Sequence, residues 1–176
     1  LPELKNWWQG RAPERQLPFV DVFCEEGVFD LAQTREILSA AAELGFPLKL
    51  HADEFANLGG ASLAVALGAV SADHLVKTSA EDIRRLGGSQ TVAVSLPGTP
   101  FGLAQSEYTP ARAIIAADGI FALASDLDPG TCCNESMGYS QALACRYLMF
   151  APAEARAAAT IYADAALCLA YQIGSI

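Results

Sequence analysis

The chain has few basic residues and no long apolar run, and each shortage argues against a class of protein. No apolar run approaches the roughly 20 residues that are needed to span a bilayer. Residues 1–15 mix Pro, Lys, Trp and Glu and do not resemble a signal peptide. Lys and Arg number 11 against 20 acidic residues, and the resulting net charge of −9 argues against nucleic acids and anionic membranes as partners.

The five cysteines include no CxxC pair, which argues against a structural zinc knuckle. Their odd number and irregular spacing predict reduced thiols in a cytoplasmic protein. We interpret the adjacent Cys132 and Cys133 as ordinary loop thiols, because a thiolate nucleophile requires a histidine beside it. The chain begins with Leu1, and we expect it to be a piece of a longer protein.

A strand-helix pattern repeats five times along the chain. Hydrophobic residues make up 52% of it and charged residues 18%, which predicts a well-buried core. Strand-like segments alternate with helical ones, and helical crossovers imply parallel pairing. The five predicted strands are 19–24, 47–51, 69–73, 91–96 and 120–125.

The predicted helices have recognisable ends. Asp30 is a plausible N-cap for a helix that stops before Gly45, and Ser79 is another for a helix that runs to Leu86. Shorter helices are expected at 61–67 and 110–117, and a long loop at 97–108. Two Ala-rich helices, at about 136–150 and 153–169, complete the chain.

Two α/β architectures fit five parallel strands: an open doubly wound sheet and most of an eight-stranded barrel. No GxGxxG or GxxxxGK[ST] motif follows any strand, which weakens the nucleotide-binding sheet. Chemical groups at three strand ends favour the barrel, because barrel active sites lie at the carboxyl ends of the strands. We therefore predict a partial TIM-like (β/α) barrel of the metal-dependent hydrolase type, with about five parallel strands plus C-terminal helices.

The candidate site residues are His51, Glu54, His74 and Asp126. We predict that His51 and Asp126 bind a metal, since a neutral imidazole at a strand end is a common ligand of zinc or iron. The alternatives are a structural histidine and a turn aspartate. Asp126 could take the proton from metal-activated water, and Glu54 could bind the substrate nitrogens or relay a proton. His74 suits polarisation of a substrate carbonyl.

Neighbouring residues receive less specific interpretations. Glu25 and Glu26, after the first strand, are expected to be solvated. Gly98, Thr99 and the loop that follows them are interpreted as material on the substrate side of the site.

These segments together resemble the imidazolonepropionase family of the amidohydrolase superfamily. The resemblance covers residues 20–169 and rests on five segments in the family's order: 21–25, 51–54, 71–75, 96–99 and 126–130. It implies hydrolytic opening of the ring of 4-imidazolone-5-propanoate to N-formimidoyl-L-glutamate, in histidine degradation. It further implies one zinc or iron ion held by His51 and Asp126, with Glu54 and His74 acting on substrate and water. The full-length enzyme is expected to be a homodimer.

The chain departs from the family in three respects. The family's early His-x-His pair, which supplies two more metal ligands, is absent, as are the N-terminal strands and a small β-sandwich domain. Residues 1–176 are thus expected to be a single segment, the C-terminal portion of a (β/α)8 barrel. Asp128 stands where the family commonly has Asn. Because two metal ligands are too few for tight binding, we expect little or no activity from this segment alone. Another amidohydrolase (a deaminase or cyclic amidase) and a non-catalytic half-barrel are the alternatives.

Overall fold

Five parallel strands form one sheet whose spatial order follows the chain, β1-β2-β3-β4-β5. The computed structural model describes residues 1–170 and 172–174. The strands agree with the predicted segments to within one or two residues at most ends, and they are β1 (Val20–Cys24), β2 (Leu48–Ala52), β3 (Ser71–His74), β4 (Val92–Ser95) and β5 (Phe121–Leu123).

Eight α-helices and one short 3₁₀ helix are present in the described part of the chain. The helices are α1 (Pro2–Arg11), α2 (Leu31–Glu43), α3 (Gly60–Leu67), α4 (Ala80–Gly87), α5 (Gly98–Gly102), α6 (Ala111–Ala116), α7 (Met137–Tyr147) and α8 (Pro152–Ala158), and the 3₁₀ helix spans Ala165–Leu167. Asp30 caps α2 by accepting a hydrogen bond from the backbone N–H of Gln33, and Ser79 caps α4 in the same way through Asp82. Both predicted caps are confirmed.

The strand order distinguishes a barrel from an open doubly wound sheet. In a doubly wound sheet the order reverses at a switch point and helices cover both faces. Here the order never reverses, and right-handed crossovers between neighbouring parallel strands then place successive helices on one face. The helices α2, α3, α4 and α6 pack against one another in chain order, as this arrangement requires. The predicted partial (β/α) barrel with five parallel strands is confirmed.

The main core lies between the sheet and this helical layer. On β2, the side chains of Leu48, Leu50 and Ala52 are buried, whereas those of Lys49 and His51 lie on the opposite face and are partly exposed. This alternation follows from the two-residue period of a strand. The apolar face of β2 therefore fixes which of its polar residues can take part in a site.

The C-terminal region differs from the prediction of one helix over residues 153–169. Helix α8 ends at Ala158, a series of turns follows, and the 3₁₀ helix comes after them. Ala166 packs on the inner face of the sheet against Val92, Val94 and Ala122. Covering this apolar surface favours a folded-back segment over continuous helix, so tertiary packing overrides the helix propensity of alanine.

The predicted loop at 97–108 contains the short helix α5. The five cysteines are free, as predicted. Among the described residues, no helix has both the length and the apolar character that crossing a membrane demands.

Replacing Leu50 by alanine should lower the free energy of unfolding by about 2–5 kcal/mol, because its fully buried side chain would leave a cavity beneath the helices. Urea unfolding followed by circular dichroism measures the change. Leu127, whose side chain is 58% exposed, provides the matched control. Leu127→Ala should change the same free energy by about 0.5 kcal/mol or less. Equal losses in the two variants would contradict the burial of this face of β2.

Candidate metal centre and active site

Groups at or just after the C-terminal ends of β2, β3 and β5 line one cavity of about 270 Å³. Its walls include all four residues that the sequence singles out, His51, Glu54, His74 and Asp126. The parallel register explains the convergence, since Ala52 pairs with His74 and the strand ends therefore lie side by side. The structure brings the four residues together, and their individual roles stay predictions.

A larger cavity, of about 470 Å³, lies between β5 and α8 and is lined mostly by apolar residues. Of its two acidic lining residues, Glu154 is ion-paired with Arg112. This cavity has no histidine or cysteine in its wall, so the smaller one is the better candidate for chemistry.

His51 is held by a carboxylate that the sequence analysis did not identify. Oδ1 of Asp21 lies 3.0 Å from Nδ1 of His51, and this hydrogen bond raises the pKa of His51 against the effect of burial. With Nδ1 engaged, Nε2 is the nitrogen left for a metal. The available signal was strand alternation, because Asp21 and Phe23 share one face of β1 and Phe23 pairs in register with His51.

Asp73 lies beside the same histidine. The potential ligand atoms of Asp21, His51 and Asp73 lie within 4.8 Å of one another. Asp73 is buried, and its Oδ1 has no hydrogen-bond partner among the described residues. Burial raises the pKa of Asp73, and the positive charge of Lys49 opposes that rise. His51 therefore belongs to this group of three, and it also lines the cavity together with Asp126.

The donor chemistry of the cavity fits zinc or iron. Imidazole nitrogen and carboxylate oxygen are ordinary ligands of both metals. On the other side of the ring, Nδ1 of His51 and the Asp21 carboxylate already satisfy each other at hydrogen-bond distance. The alternative donor set is His51, through Nε2, together with Asp126, and both residues line the cavity. It supplies two protein ligands, whereas a catalytic zinc site has three.

His74 and Glu54 form a buried pair, and burial disfavours the charged form of each side chain. Nδ1 of His74 lies 3.5 Å from Oε1 of Glu54, and both side chains are less than a tenth exposed. Burial lowers the pKa of His74 to about 4 and raises that of Glu54 to about 7. Near neutral pH the imidazole is therefore uncharged, and the carboxyl group is close to half protonated. A group in that state can either donate or accept a proton.

The backbone at His74 is held in an unusual conformation. His74 has φ +73° and Leu75 has φ +59°, in the left-handed region that non-glycine residues seldom adopt. The hydroxyl of Thr109 donates to the carbonyl oxygen of His74 at 2.6 Å, and Ser95 contacts the same hydroxyl at 2.8 Å. Backbone strain persists where surrounding contacts enforce it. Here those contacts come from β4 and from the segment before α6.

Asp126 is oriented by α5, the short helix that follows β4. The hydroxyl of Thr99 donates a hydrogen bond to Oδ2 of Asp126, and Thr99 is itself fully buried. The preceding Gly98 packs so closely against Cys132 that an added Cβ would overlap the sulfur atom. A glycine at position 98 therefore allows α5 and the segment of Cys132 to approach closely. Gly98 and Thr99 were predicted only to lie on the substrate side of the site, whereas the structure shows a specific hydrogen bond from Thr99 to Asp126.

The prediction that Glu25 is solvated is wrong. Its side chain is buried, and its carboxylate accepts hydrogen bonds from the backbone N–H groups of Glu26, Phe55 and Ala56. Those three donors satisfy the buried charge, which is the condition for burying a carboxylate at all. Glu26 is exposed, as expected.

Asp53 has a similar structural role one residue before Glu54. It is fully buried with φ +52°, and it accepts hydrogen bonds from the backbone N–H groups of Leu58, Gly60 and Ala61. These bonds tie the loop after β2 to the start of α3. Sequence alone did not distinguish this aspartate from its neighbours.

The turn after Asp126 also lies against the cavity. Asp128 accepts hydrogen bonds from the backbone N–H of Gly130 and the hydroxyl of Thr131, so its oxygens are engaged in the turn. Cys132 is buried and burial raises the pKa of its thiol, whereas Cys133 is exposed. A raised thiol pKa disfavours the thiolate, in agreement with ordinary loop thiols.

Comparison with known proteins identifies relatives over the whole chain. No family model matches the sequence. The chain is 52% identical over 176 residues to the imidazolonepropionase of Herpetosiphon aurantiacus and 43% identical over 178 aligned positions to that of Chloroflexus aggregans. These matches include all of this chain but only 41% and 42% of the two relatives. The chain thus spans about two fifths of the length of the curated relatives it matches.

Solved structures share the fold at lower identity. A zinc-bound adenosine deaminase from Xanthomonas campestris aligns with a TM-score of 0.73 and 21% identity, over 99% of this chain and 44% of that one. A mutant atrazine chlorohydrolase from Arthrobacter aurescens, complexed with zinc and atraton, aligns with a TM-score of 0.74 and 11% identity, over 98% and 43%. The resemblance of this chain to the imidazolonepropionases is therefore confirmed over all 176 residues.

Proposed function

We propose that residues 1–176 form the C-terminal portion of the (β/α)8 barrel of an imidazolonepropionase. The reaction is the addition of water to 4-imidazolone-5-propanoate to form N-formimidoyl-L-glutamate. The observation that carries the proposal is the meeting of His51, Glu54, His74 and Asp126 in one cavity, in a chain 52% identical to a protein of that name. The N-terminal strands and a small β-sandwich domain would lie outside these residues.

In this proposal the metal is zinc or iron and is held by His51 and Asp126. When bound, such an ion makes hydroxide available from water near neutral pH and polarises a carbonyl oxygen. Asp21 fixes the ring of His51 through Nδ1, and Thr99 fixes one oxygen of Asp126. The first contact comes from the neighbouring strand β1 and the second from helix α5, so the two residues are oriented before any ion binds.

In the proposed reaction, side chains of this segment carry out the proton transfers. Asp126 accepts a proton from the attacking water, whose oxygen bonds to the ring carbonyl carbon. His74, uncharged at neutral pH, donates a hydrogen bond to the oxygen on which negative charge develops. The ring carbon–nitrogen bond breaks, and the protonated form of Glu54 gives its proton to the leaving nitrogen. Glu54 and His74 are thus both substrate-binding and catalytic.

The proposed setting is a cytoplasmic homodimer of the full-length enzyme that acts on a small molecule and binds neither nucleic acid nor membrane. The cysteines are free, and the net charge is −9, which suits that setting. The isolated segment offers two metal ligands, so we expect it to bind metal weakly and to have little or no activity.

A deaminase is the main competing function, because an adenosine deaminase shares the fold. The two differ in which bond breaks, since a deaminase releases an exocyclic amine. Assays of the whole protein against imidazolone propanoate and against aminated heterocycles distinguish them. A third possibility, a half-barrel without a competent site, would be supported if the whole protein held no stoichiometric zinc or iron.

The metal content of the whole protein should depend on His51 and Asp126. His51→Ala and Asp126→Asn should each reduce bound zinc or iron by at least tenfold, measured by elemental analysis after dialysis against a weak chelator. Asp128→Asn makes the same chemical change two residues away and should leave the metal content unchanged, because its oxygens serve the turn. Loss of metal in Asp73→Asn but not in Asp126→Asn would instead place the ion beside Asp21 and Asp73.

The rate of ring opening should fall as pH rises through about 7. Burial raises the pKa of Glu54 to about 7, so the carboxyl group is protonated below that pH and can donate, and it is ionised above it. Glu54→Gln should lower kcat by about 10²–10⁴-fold and remove this descending limb. Glu81→Gln, at a mostly exposed glutamate on α4, is the control and should alter neither. A limb that persists in Glu54→Gln would contradict the donor role.

A further inference from the structure

Glu25 contacts the loop that carries Glu54 at the two residues directly after it. Its Oε2 accepts a hydrogen bond from the backbone N–H of Phe55 at 2.9 Å, and its Oε1 accepts one from that of Ala56 at 3.1 Å. Oε1 also accepts from the N–H of Glu26 at 2.9 Å. The side chain is 3% exposed, so water does not compete for these bonds.

The Glu25 carboxylate supplies hydrogen-bond acceptors for two backbone N–H groups that secondary structure leaves without a partner. Residues after β2 leave the sheet before α3 begins, so the N–H groups of Phe55 and Ala56 have no strand or helix partner. Asp53 anchors the same loop from the other side, through Leu58 and Gly60. The backbone is therefore fixed immediately before and immediately after Glu54.

A carboxylate suits this position better than any neutral side chain. It has two acceptor oxygens and no donor, and it meets three backbone N–H groups. A glutamine of the same length has one acceptor oxygen, and its NH₂ group would face at least one N–H donor. The two acceptor oxygens of Glu25 thus fit the three backbone N–H donors that they meet.

We infer that Glu25 is a positioning residue for Glu54: its carboxylate holds the backbone at Phe55 and Ala56 so that the Glu54 carboxyl group faces His74 in the cavity. The inference rests on the proposed function, because it assigns Glu25 a role only through the work of Glu54. Glu25 itself is not among the residues that line the cavity, so it acts without touching the substrate.

The first test uses the metal-loaded whole protein and compares two neighbouring glutamates. Glu25→Gln should lower kcat by about 10–100-fold with KM changed less than kcat, because a displacement of about 1 Å at a reacting group costs about that much. Glu26→Gln changes an exposed glutamate one residue away and should leave both constants unchanged. An unchanged kcat in a folded, metal-loaded Glu25→Gln protein would overturn the inference.

A double-mutant cycle separates positioning from general destabilisation. If Glu25 acts through Glu54, then Glu25→Gln should lower the residual kcat of Glu54→Gln by less than about twofold, since there is no carboxyl group left to position. A full 10–100-fold loss in that background would overturn the inference and leave the proposed function intact. If Glu54→Gln alone has no effect, the proposed role of Glu54 fails instead.

Hydrogen exchange on the unsubstituted protein provides a measurement that does not depend on the variants folding. The amides of Phe55 and Ala56 should exchange at least 100-fold more slowly than unprotected loop amides, because both donate to a buried carboxylate. Glu26→Gln should keep that protection, and Glu25→Gln should lose it. Exchange of both amides at unprotected rates in the original protein would also overturn the inference.

Discussion

Parallel pairing of the five strands is the constraint on which the site depends. Because every strand runs in the same direction, the C-terminal ends of β2, β3 and β5 and the residues after them lie at one edge of the sheet, where the cavity is. The chain there must turn away into a helix, and the backbone loses its ladder of hydrogen bonds at that point. Buried side chains replace the ladder: Glu25 and Asp53 after β1 and β2, and Thr109 beside the end of β3. The residues that line the cavity and the residues that hold the loops thus alternate along the sequence.

The same burial sets the electrostatics of the cavity. Desolvation raises the pKa of Glu54 and Asp73 and lowers that of His74, so each of these groups is pushed towards its uncharged form. His51 behaves differently because its hydrogen bond to Asp21 outweighs desolvation and raises its pKa. A cation between His51 and Asp126 would favour the ionised forms of nearby carboxylates and oppose this trend. Under the proposed function, the protonation states of these groups and the binding of the metal would therefore depend on each other.

The strands, the caps and the four cavity residues were predictable because each depends on a local pattern. A strand-like segment that stops at His51, and another that stops at His74, identifies a strand end without knowledge of what lies next to it. The supporting residues were not predictable in that way. Whether Glu25 is solvated or buried depends on Phe55 and Ala56, thirty residues further along the chain, which no local pattern connects to it. The prediction of one helix over 153–169 was wrong for a related reason. The segment after α8 folds back to cover the apolar inner face of β4, and this contact is not visible in the local sequence.

Fold and substrate are separate questions for this site. At 11–21% identity the fold is shared with a deaminase and a chlorohydrolase, so the fold alone does not identify the reaction. The proposed substrate carries a propanoate group, and a carboxylate in a protein site is ordinarily met by Arg or Lys. The described residues that line the cavity include neither. Under the proposed function, His51, Glu54, His74 and Asp126 therefore account for metal binding and ring opening, and recognition of the propanoate falls to groups beyond this part of the cavity wall. Specificity for the substrate and the chemistry of the reaction would then reside in different parts of the barrel.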